Sequence, residues 1–266
     1  MDAINRPTLG IEVSPASAEE GAGLFMPHRL FNVDEVAAYL HLSRADIERF
    51  LKNQEIPSEA RGDRVVFRKR EIDAWASQRI LGLGARPLTE YHQKSSHGTQ
   101  EILPHAALIP QMIQPDFIVP ALASKTKSSV LRDLVDVADR TGRVFGKKDL
   151  LTSLEEREEL CPTALPGGLA LPHPRHHDEY LFDSSFIVLG RAIQEIHFGA
   201  PDGKPTDLFF LMCCQDDRLH LHTLARLCMM ALKTELLSQL RAATEAPAMY
   251  AALVACEQEV LAAKKL

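Results

Sequence analysis

Two short apolar runs constrain the fold of this chain more than any other feature. They are Phe186–Gly190 (FIVLG) and Leu208–Cys214 (LFFLMCC), and both are typical of strands that are buried on their two faces. Helical patterns surround them at Val130–Thr141, Lys147–Leu160, Leu221–Leu232, Thr234–Ala243 and Ala246–Leu261. Strands that alternate with helices in this way predict a layered domain of the α/β (α+β) class.

The stretch Thr163–Arg175 (TALPGGLALPHPR) holds the main candidate for a reacting side chain. Its Pro-Gly-Gly turn can approach a ligand closely or take positive φ, because glycine has no Cβ. Pro172 and Pro174 keep His173 in an extended segment and out of any helix. Such a histidine can present one ring nitrogen outward while the backbone holds the other, as a nucleophile requires. Taken alone, the pattern is more typical of an ordinary loop histidine.

Two other stretches strengthen the functional interpretation. Upstream, Leu154–Glu158 (LEERE) places a single arginine among carboxylates in a predicted helix. Downstream, Leu219–Leu227 (LHLHTLARL) opens an apolar helix with a second histidine. In this order and spacing, the motifs resemble the IIA phosphocarrier domain of the sugar phosphotransferase system, in the fructose/mannitol class that includes the nitrogen-regulatory IIA proteins. The resemblance covers roughly Asp116–Ala262 and implies a mixed sheet flanked by helices.

The resemblance also implies roles for five residues. His173 takes the phosphorylated position, and His220 matches a second active-site histidine that contacts the phosphoryl group. Arg157 matches a guanidinium that can bind phosphoryl oxygens in a bidentate way. Thr163 and Gly168 match the loop that shapes the pocket. A neutral imidazole suits this chemistry because its pKa leaves a lone pair available near pH 7.

The sequence departs from the family pattern at two places. Pro174 stands where a glycine usually follows the histidine, which removes a backbone N–H that could face the phosphate, although Arg175 is kept. A Pro-Gly-Gly turn replaces the commoner Gly-Asn-Gly. Neither change removes a reacting group. His222 is the competing candidate for the second histidine, but the H-L-x-x-L register favours His220.

A second unit begins at Phe31 with two helix starts. Asn32 and Glu35 have the spacing of a capping box, in which a side chain at each end satisfies the backbone N–H at the other. Ser43 and Asp46 repeat this spacing eleven residues later. The apolar residues that follow each cap recur at helical spacing, so the segment predicts two successive helices.

A hairpin and a third helix complete this unit. The hairpin spans Ala60–Phe67 with its turn at Gly62-Asp63, and the third helix carries Trp75. The run Leu30–Ile80 resembles the excisionase-type winged helix-turn-helix, which is related to the mercury-resistance regulators. In that family the second helix enters the major groove of DNA and the wing touches phosphates.

The resemblance implies six candidate DNA contacts in the second helix and the wing: Arg44, Arg49, Lys52, Arg61, Arg64 and Arg68. The charge balance is less favourable, since residues 28–85 hold ten Lys/Arg and nine Asp/Glu, a net of only +1. Asp46 and Glu48 lie in the same helix and oppose binding to phosphates. Two interpretations therefore stay open, binding to duplex DNA and a helix-turn-helix that is used for protein contacts or dimerisation.

Two segments lack a regular apolar period. Residues 1–27 predict a disordered tail. Residues 86–115, with four prolines and three histidines, predict a linker. The expected organisation is therefore a small winged helix-turn-helix domain at 28–85 followed by a IIA-like domain at 116–266. The two units are expected to move independently.

Composition excludes several other classes of protein. The chain has 266 residues, is 45% hydrophobic and 25% charged, and carries a net charge of −6, unlike a general polyanion binder. Its apolar runs are too short to cross a bilayer and its start is unlike a secretory signal, so no membrane contact is expected. Its five cysteines form no C-x-x-C pair and the run His173–His177 matches no zinc spacing. We therefore expect free thiols in the cytoplasm, no metal and no cofactor.

These features predict a regulatory phosphocarrier of the phosphoenolpyruvate-dependent phosphotransferase system rather than an enzyme that turns over a small substrate. The expected phosphoryl donor is the histidine phosphocarrier protein, and the expected output is altered binding of DNA or of a regulatory protein. The sequence holds no pattern for a IIB domain with a cysteine nucleophile or for a IIC permease, so sugar transport by this chain alone is not expected. The alternative is a non-catalytic sensor, with a degenerate IIA domain and a helix-turn-helix used for protein contacts.

Overall fold

The computed structural model describes residues 30–98, 106–175 and 181–263. The expected disordered tail at residues 1–27 lies outside the described residues, as do His176 and His177 and part of the expected linker. Within the described ranges, no helix combines the length and the apolar character that crossing a bilayer would require.

The first unit is a small helical domain with a three-stranded antiparallel sheet. Its elements are β1 (Leu30–Phe31), α1 (Val33–Tyr39), α2 (Arg44–Lys52), β2 (Glu59–Arg61), β3 (Arg64–Arg68) and α3 (Lys69–Leu81). Strand β3 lies between β1 and β2 in the sheet. This order of helices and hairpin confirms the predicted winged helix-turn-helix.

Local signals in the sequence account for the boundaries of this unit. Both predicted capping boxes form: the Asn32 side chain accepts from the backbone of Glu35, and the Ser43 side chain accepts from that of Asp46. The Trp75 ring on α3 packs edge-on against an aromatic ring of α2, with 5.4 Å between the ring centroids. Trp75 thus packs the third helix of this unit onto the second.

The second unit has helices on both sides of a five-stranded sheet. Its strands are β4 (Ile118–Leu122), β5 (Ala164–Leu165), β6 (Leu169–Ala170), β7 (Phe186–Ile196) and β8 (Thr206–Cys213). Their order is β4-β7-β8-β6-β5; β4 runs parallel to β7 and β6 to β8, whereas the β7–β8 and β5–β6 pairs are antiparallel. The sheet is therefore mixed, as expected, and the two apolar runs of the sequence form its centre.

The helices of this unit and those that join the two units have the following bounds: α4 (Ala85–Gly98), α5 (Ile109–Met112), α6 (Lys127–Arg140), α7 (Lys147–Leu160), α8 (Asp217–Lys233), α9 (Leu236–Ala242) and α10 (Ala246–Ala262). Helix α8 is central among them. Every side chain from Leu219 to Met230 is buried, because α8 contacts α3, α4 and α10. A helix that is surrounded in this way is apolar around most of its circumference.

The segment expected to be a linker contains helix α4, so the structure differs from the sequence prediction there. Pro87 lies in the first turn, where a missing N–H breaks no helical hydrogen bond. The buried face of α4 consists of Leu88, Tyr91, His92 and Ser95, which has helical spacing but is half polar. A search for apolar residues at helical spacing therefore does not find this helix. Helices α3 and α4 both pack against α8, so the two units, expected to be independent, are packed together here.

Candidate functional site

Three of the candidate side chains meet although they come from separate elements. Arg157 lies in the last turn of α7, His173 follows β6, and His220 lies in the first turn of α8. The centroids of the two histidine rings are 4.6 Å apart and the rings are tilted by 49°. Nε of Arg157 is 3.0 Å from Nε2 of His173. All three side chains are buried.

Two hydrogen bonds determine which nitrogen of His173 can react. Nδ1 lies 2.8 Å from the carbonyl oxygen of Leu171. Because a carbonyl oxygen can only accept, Nδ1 carries the proton. Nε2 accepts a hydrogen bond from Nε of Arg157 and therefore holds the lone pair. The arrangement resembles the one expected from the Pro-His-Pro segment, except that the ring is 2% exposed rather than presented to solvent.

The charge of Arg157 is held in a mostly buried position. Burial lowers the pKa of this guanidinium, and the neighbouring Glu158 carboxylate partly offsets that effect. The group stays protonated, since arginine does so in essentially all protein environments. Its Nη1 donates to the carbonyl oxygen of Cys161 at 2.8 Å. Among the described residues Nη2 has no hydrogen-bond partner, so the guanidinium has further donors for an anion that arrives at Nε2 of His173.

Thr163 supports the segment that carries His173. Its carbonyl oxygen accepts from the backbone N–H of Leu171 at 3.1 Å, and Leu171 in turn holds Nδ1 of His173. Its hydroxyl donates to the buried carboxylate of Glu158 at 2.6 Å. Nζ of Lys127 pairs with the same carboxylate at 3.0 Å. Neither Glu158 nor Lys127 was predicted as a site residue; the only local signal was that Glu158 directly follows Arg157 in the chain.

Gly168 has a different environment from the other candidates. It adopts φ +80°, and a Cβ at this position would lie 2.5 Å from Nη2 of Arg241 and 2.8 Å from Oδ1 of Asp207. Arg241 also donates to the carbonyl oxygen of Gly167 at 2.6 Å. These contacts join the turn to the start of β8 and to α9. A part for Gly168 in the pocket stays a prediction.

His222, the alternative second histidine, lies away from His173. Successive helical residues are about 100° apart, so His222 faces a different side of α8 from His220. Its Nδ1 hydrogen-bonds with the hydroxyl of Ser95 at 3.0 Å, and its ring stacks on that of His92 with 4.7 Å between centroids. The structure therefore brings His220, and not His222, to the ring of His173.

The helix-turn-helix unit contributes one residue to the cluster that the sequence analysis did not identify. The hydroxyl oxygen of Ser77 on α3 lies 3.2 Å from Nε2 of His220 and donates its single proton to the carbonyl oxygen of Asp73 at 2.9 Å. Nε2 of His220 must then be the donor to Ser77. No sequence pattern could reveal this contact, because the two residues are 143 positions apart.

The six candidate DNA contacts are all exposed. Four of them form ion pairs within the domain: Arg44 with Asp34 and Glu48, Arg49 with Asp46, and Arg61 and Arg68 with Glu59. Within the described part of the chain, Lys52 and Arg64 form no ion pair. Exposed pairs contribute about 0–1 kcal/mol each, so phosphate groups could replace the paired carboxylates at small cost.

Comparisons with known proteins give two matches along the chain. The family model described as "Phosphoenolpyruvate-dependent sugar phosphotransferase system, EIIA 2" matches residues 111–255. A model described as "Helix-turn-helix domain" matches residues 30–80. Both families suggested by the sequence motifs are thereby confirmed.

Relatives with the same domain come from several bacteria. The chain is 30% identical over 148 residues to a nitrogen regulatory protein of Bradyrhizobium diazoefficiens, which covers 54% of this chain and 94% of that protein. It is 26% identical over 146 residues to a nitrogen regulatory protein of Pseudomonas aeruginosa, covering 54% and 93%. The solved structure of the nitrogen regulatory protein IIA-Ntr from Neisseria meningitidis matches with a TM-score of 0.51 and 25% identity, covering 55% of this chain and 99% of that one.

Proposed function

Because this chain belongs to the phosphoenolpyruvate-dependent sugar phosphotransferase system EIIA 2 family, we propose that it is a regulatory phosphocarrier that accepts a phosphoryl group on Nε2 of His173. The hydrogen bonds of the His173 ring support Nε2 as the accepting atom. Nδ1 is committed to the carbonyl oxygen of Leu171, so Nε2 holds the lone pair, and a guanidinium lies next to it. The relatives named nitrogen regulatory proteins favour a regulatory role over sugar transport.

The transfer step exchanges one P–N bond for another. The proposed donor is the phosphohistidine of the histidine phosphocarrier protein. Nε2 of His173 attacks phosphorus, the bond from phosphorus to the donor imidazole breaks, and the donor ring keeps the electron pair. The proton on Nδ1 of His173 stays in place, so positive charge develops on the ring. The carbonyl oxygen of Leu171 stabilises that charge through the Nδ1–H hydrogen bond.

Arg157 and His220 act on the phosphoryl oxygens. The transition state of phosphoryl transfer is loose, so the protein mainly positions the group and supplies charge and donors around its oxygens. Arg157 leaves Nε2 as the phosphoryl group arrives and binds two of its oxygens with its fork of N–H groups. His220, whose ring lies 4.6 Å from that of His173 between centroids, donates a further hydrogen bond to these oxygens.

The output of the phosphocarrier is the second part of the proposal. We infer that phosphorylation in the cytoplasm changes how the helix-turn-helix unit binds duplex DNA or a regulatory protein. The exposed basic residues of α2 and the wing support DNA as a partner. The alternative, a non-catalytic sensor with a degenerate IIA domain, is less favoured because Arg157, His173 and His220 are all present and in contact.

A phosphorylation assay tests the proposal directly. The purified chain is incubated with labelled phosphoenolpyruvate and the upstream proteins of the system, and the modified residue is mapped by mass spectrometry. We expect acid-labile, base-stable label on His173, which His173→Ala abolishes. As controls, His176→Ala and His177→Ala change the neighbouring histidines in sequence and should leave labelling nearly intact. Full labelling of His173→Ala would refute the assignment.

A further inference from the structure

Helix α3 of the helix-turn-helix unit lies against the reacting side of the second unit. Lys69, in the first turn of α3, forms an ion pair with Asp217. The hydroxyl of Ser77 accepts from Nε2 of His220 at 3.2 Å. Two turns of α3 thus contact the first turn of α8, which carries His220.

A third contact of α3 leads to Arg157. The side-chain amide of Gln78 donates to Sγ of Cys161 at 3.2 Å. The carbonyl oxygen of Cys161 accepts from Arg157, whose Nε binds Nε2 of His173. Helix α3 therefore contacts both His220, whose ring lies next to that of His173, and Cys161, which anchors Arg157.

Both histidines of the site are buried while α3 is in this position. His173 is 2% exposed and His220 is 0% exposed. Phosphoryl transfer requires phosphorus to come within about 3–3.5 Å of the attacking nitrogen. A protein donor cannot bring its phosphohistidine this close to Nε2 of His173 while the surface around the ring is covered.

The single N–H of His220 also connects the position of α3 to phosphorylation. In the neutral ring, Nε2 carries the only N–H, and that N–H is directed to Ser77. A hydrogen bond from His220 to a phosphoryl oxygen therefore competes with its hydrogen bond to Ser77. The contact between α3 and α8 and the phosphorylated state use the same donor.

We propose that α3 occupies the surface on which the phosphoryl-donor protein docks, so that α3 and the donor exclude one another. The inference rests on the proposed function of His173. The donor protein reaches Nε2 of His173 only when α3 has moved away. The phosphoryl group then accepts the hydrogen bond from His220, and α3 cannot return because Ser77 needs that same hydrogen bond. The helix-turn-helix unit is thereby held on the IIA-like domain before phosphorylation and released by it.

Two glycines form the hinge for this movement. Gly82 and Gly84 are exposed and lie between the end of α3 and the start of α4. Helix α4 itself stays attached to α8, because Nε of Arg226 donates to Nε2 of His92 at 2.8 Å and Ser95 hydrogen-bonds with His222 at 3.0 Å. The first unit can therefore swing on the glycines while α4 keeps it tethered.

The first experiment locks α3 in place. Gln78→Cys puts a thiol beside native Cys161, and a short, reductant-cleavable bis-thiosulfonate reagent joins the two. Cys161 is partly exposed whereas the other four cysteines are buried, and burial raises the pKa of the Cys214 and Cys228 thiols to about 12. The reagent should therefore react at position 161 in preference.

Locking should slow phosphorylation of His173 by about a hundredfold or more, since even a misplacement of an ångström costs this much. Reductant should restore the rate. The matched control is the wild-type chain treated with the same reagent, in which Cys161 is modified but α3 is not tethered. Phosphorylation of the cross-linked protein at the rate of the treated wild type would overturn the proposal.

The second experiment loosens α3. Combining Lys69→Ala with Ser77→Ala removes two of the contacts, and loss of the hydrogen bond alone should increase the phosphorylation rate about two- to tenfold by raising the open fraction. Arg70→Ala, an exposed change on the same helix, is the control and should have no effect. An unchanged or lower rate in the double variant, with a normal melting temperature, would contradict the proposal.

A third readout separates this inference from the proposed function. Diethyl pyrocarbonate modifies accessible histidine nitrogens without any donor protein, and the rate at His173 can be divided by the rate at exposed His197 in the same sample. The ratio should rise in the loosened variant and fall in the locked one. If no form of the chain accepts phosphate but the ratio changes in this way, the proposed function fails and the covering of the site by α3 stands. If the ratio is the same in all forms, α3 does not cover the site.

Discussion

Replacing Arg157 tests the proposal that its guanidinium moves from Nε2 of His173 to the phosphoryl oxygens during transfer. Before transfer, Nε donates one hydrogen bond to Nε2 of His173 at 3.0 Å, which stabilises the lone pair and so opposes reaction. In the proposed transition state the fork of the guanidinium binds two phosphoryl oxygens. Only the difference between these two states changes the rate.

The size of the effect follows from counting these bonds. Arg157 gives up one charge-assisted hydrogen bond and gains two, a net gain of one bond of about 1.5–3 kcal/mol. Arg157→Ala should therefore slow transfer about 10- to 150-fold, since about 1.4 kcal/mol corresponds to a factor of ten. Arg157→Lys keeps the charge but lacks the planar fork, so we expect an intermediate rate.

Rapid-quench measurements over a range of donor concentrations would give kcat and KM separately. Arg157 is 4% exposed and offers almost no surface to the donor, so kcat should fall while KM changes little. Arg132→Ala, an exposed change on α6, serves as the control, and thermal melts check that each variant is folded. A rate within twofold of wild type would show that the guanidinium does not move to the oxygens, and a faster rate would show that its bond to Nε2 dominates.

Three further predictions concern the turn, the wing and the link between the units. Gly168→Ala should destabilise the chain by more than the about 1–3 kcal/mol of an unfavourable φ alone. Its Cβ would lie 2.5 Å from Nη2 of Arg241 and displace that group from its hydrogen bonds with Gly167 and Asp207. Gly203→Ala, at φ +69° in open space, is the matched control, and equal melting temperatures would contradict this. Replacing Arg64 and Arg68 by alanine should flatten the log–log salt dependence of DNA binding by about 0.9 per lost phosphate contact, with little change in sequence preference. If no DNA pool shows salt-dependent binding, the unit serves protein contacts. Phosphorylation adds about two negative charges and should change affinity for DNA or the regulatory partner about 5- to 150-fold; equal titrations of phosphorylated wild type, unmodified wild type and His173→Ala would refute any coupling.

Features that depend on near neighbours in the chain were predictable from the sequence. The capping boxes of Asn32 and Ser43 formed as their spacing indicated, because each requires only residues three positions apart. The apolar runs at 186–190 and 208–214 became the central strands β7 and β8. Burial on both faces leaves such strands no polar positions, and this is visible in the residue types alone.

Helix α4 was missed because its buried face includes His92 and Ser95. Polar groups can be buried only where hydrogen-bond partners meet them, and here the partners are Arg226 and His222, more than a hundred residues further along the chain. The buried positions of α4 do have helical spacing in the sequence, but two of the four are polar, so they do not form a recognisable apolar face. The same distant contacts explain why residues expected to form a linker hold the two units together.

The sequence by itself determined the segment that presents His173, since Pro172 and Pro174 restrict the backbone around it and the carbonyl of Leu171, two residues away, engages Nδ1. Only the tertiary structure decided what surrounds the other nitrogen. Arg157 arrives from α7 and His220 from α8, and His220 is in turn contacted by Ser77 from a different unit of the chain. Local periodicity reports which face of an element is buried, but not which element covers it. The covered state of the reacting histidine therefore became visible only when the helix-turn-helix unit was seen packed against α8.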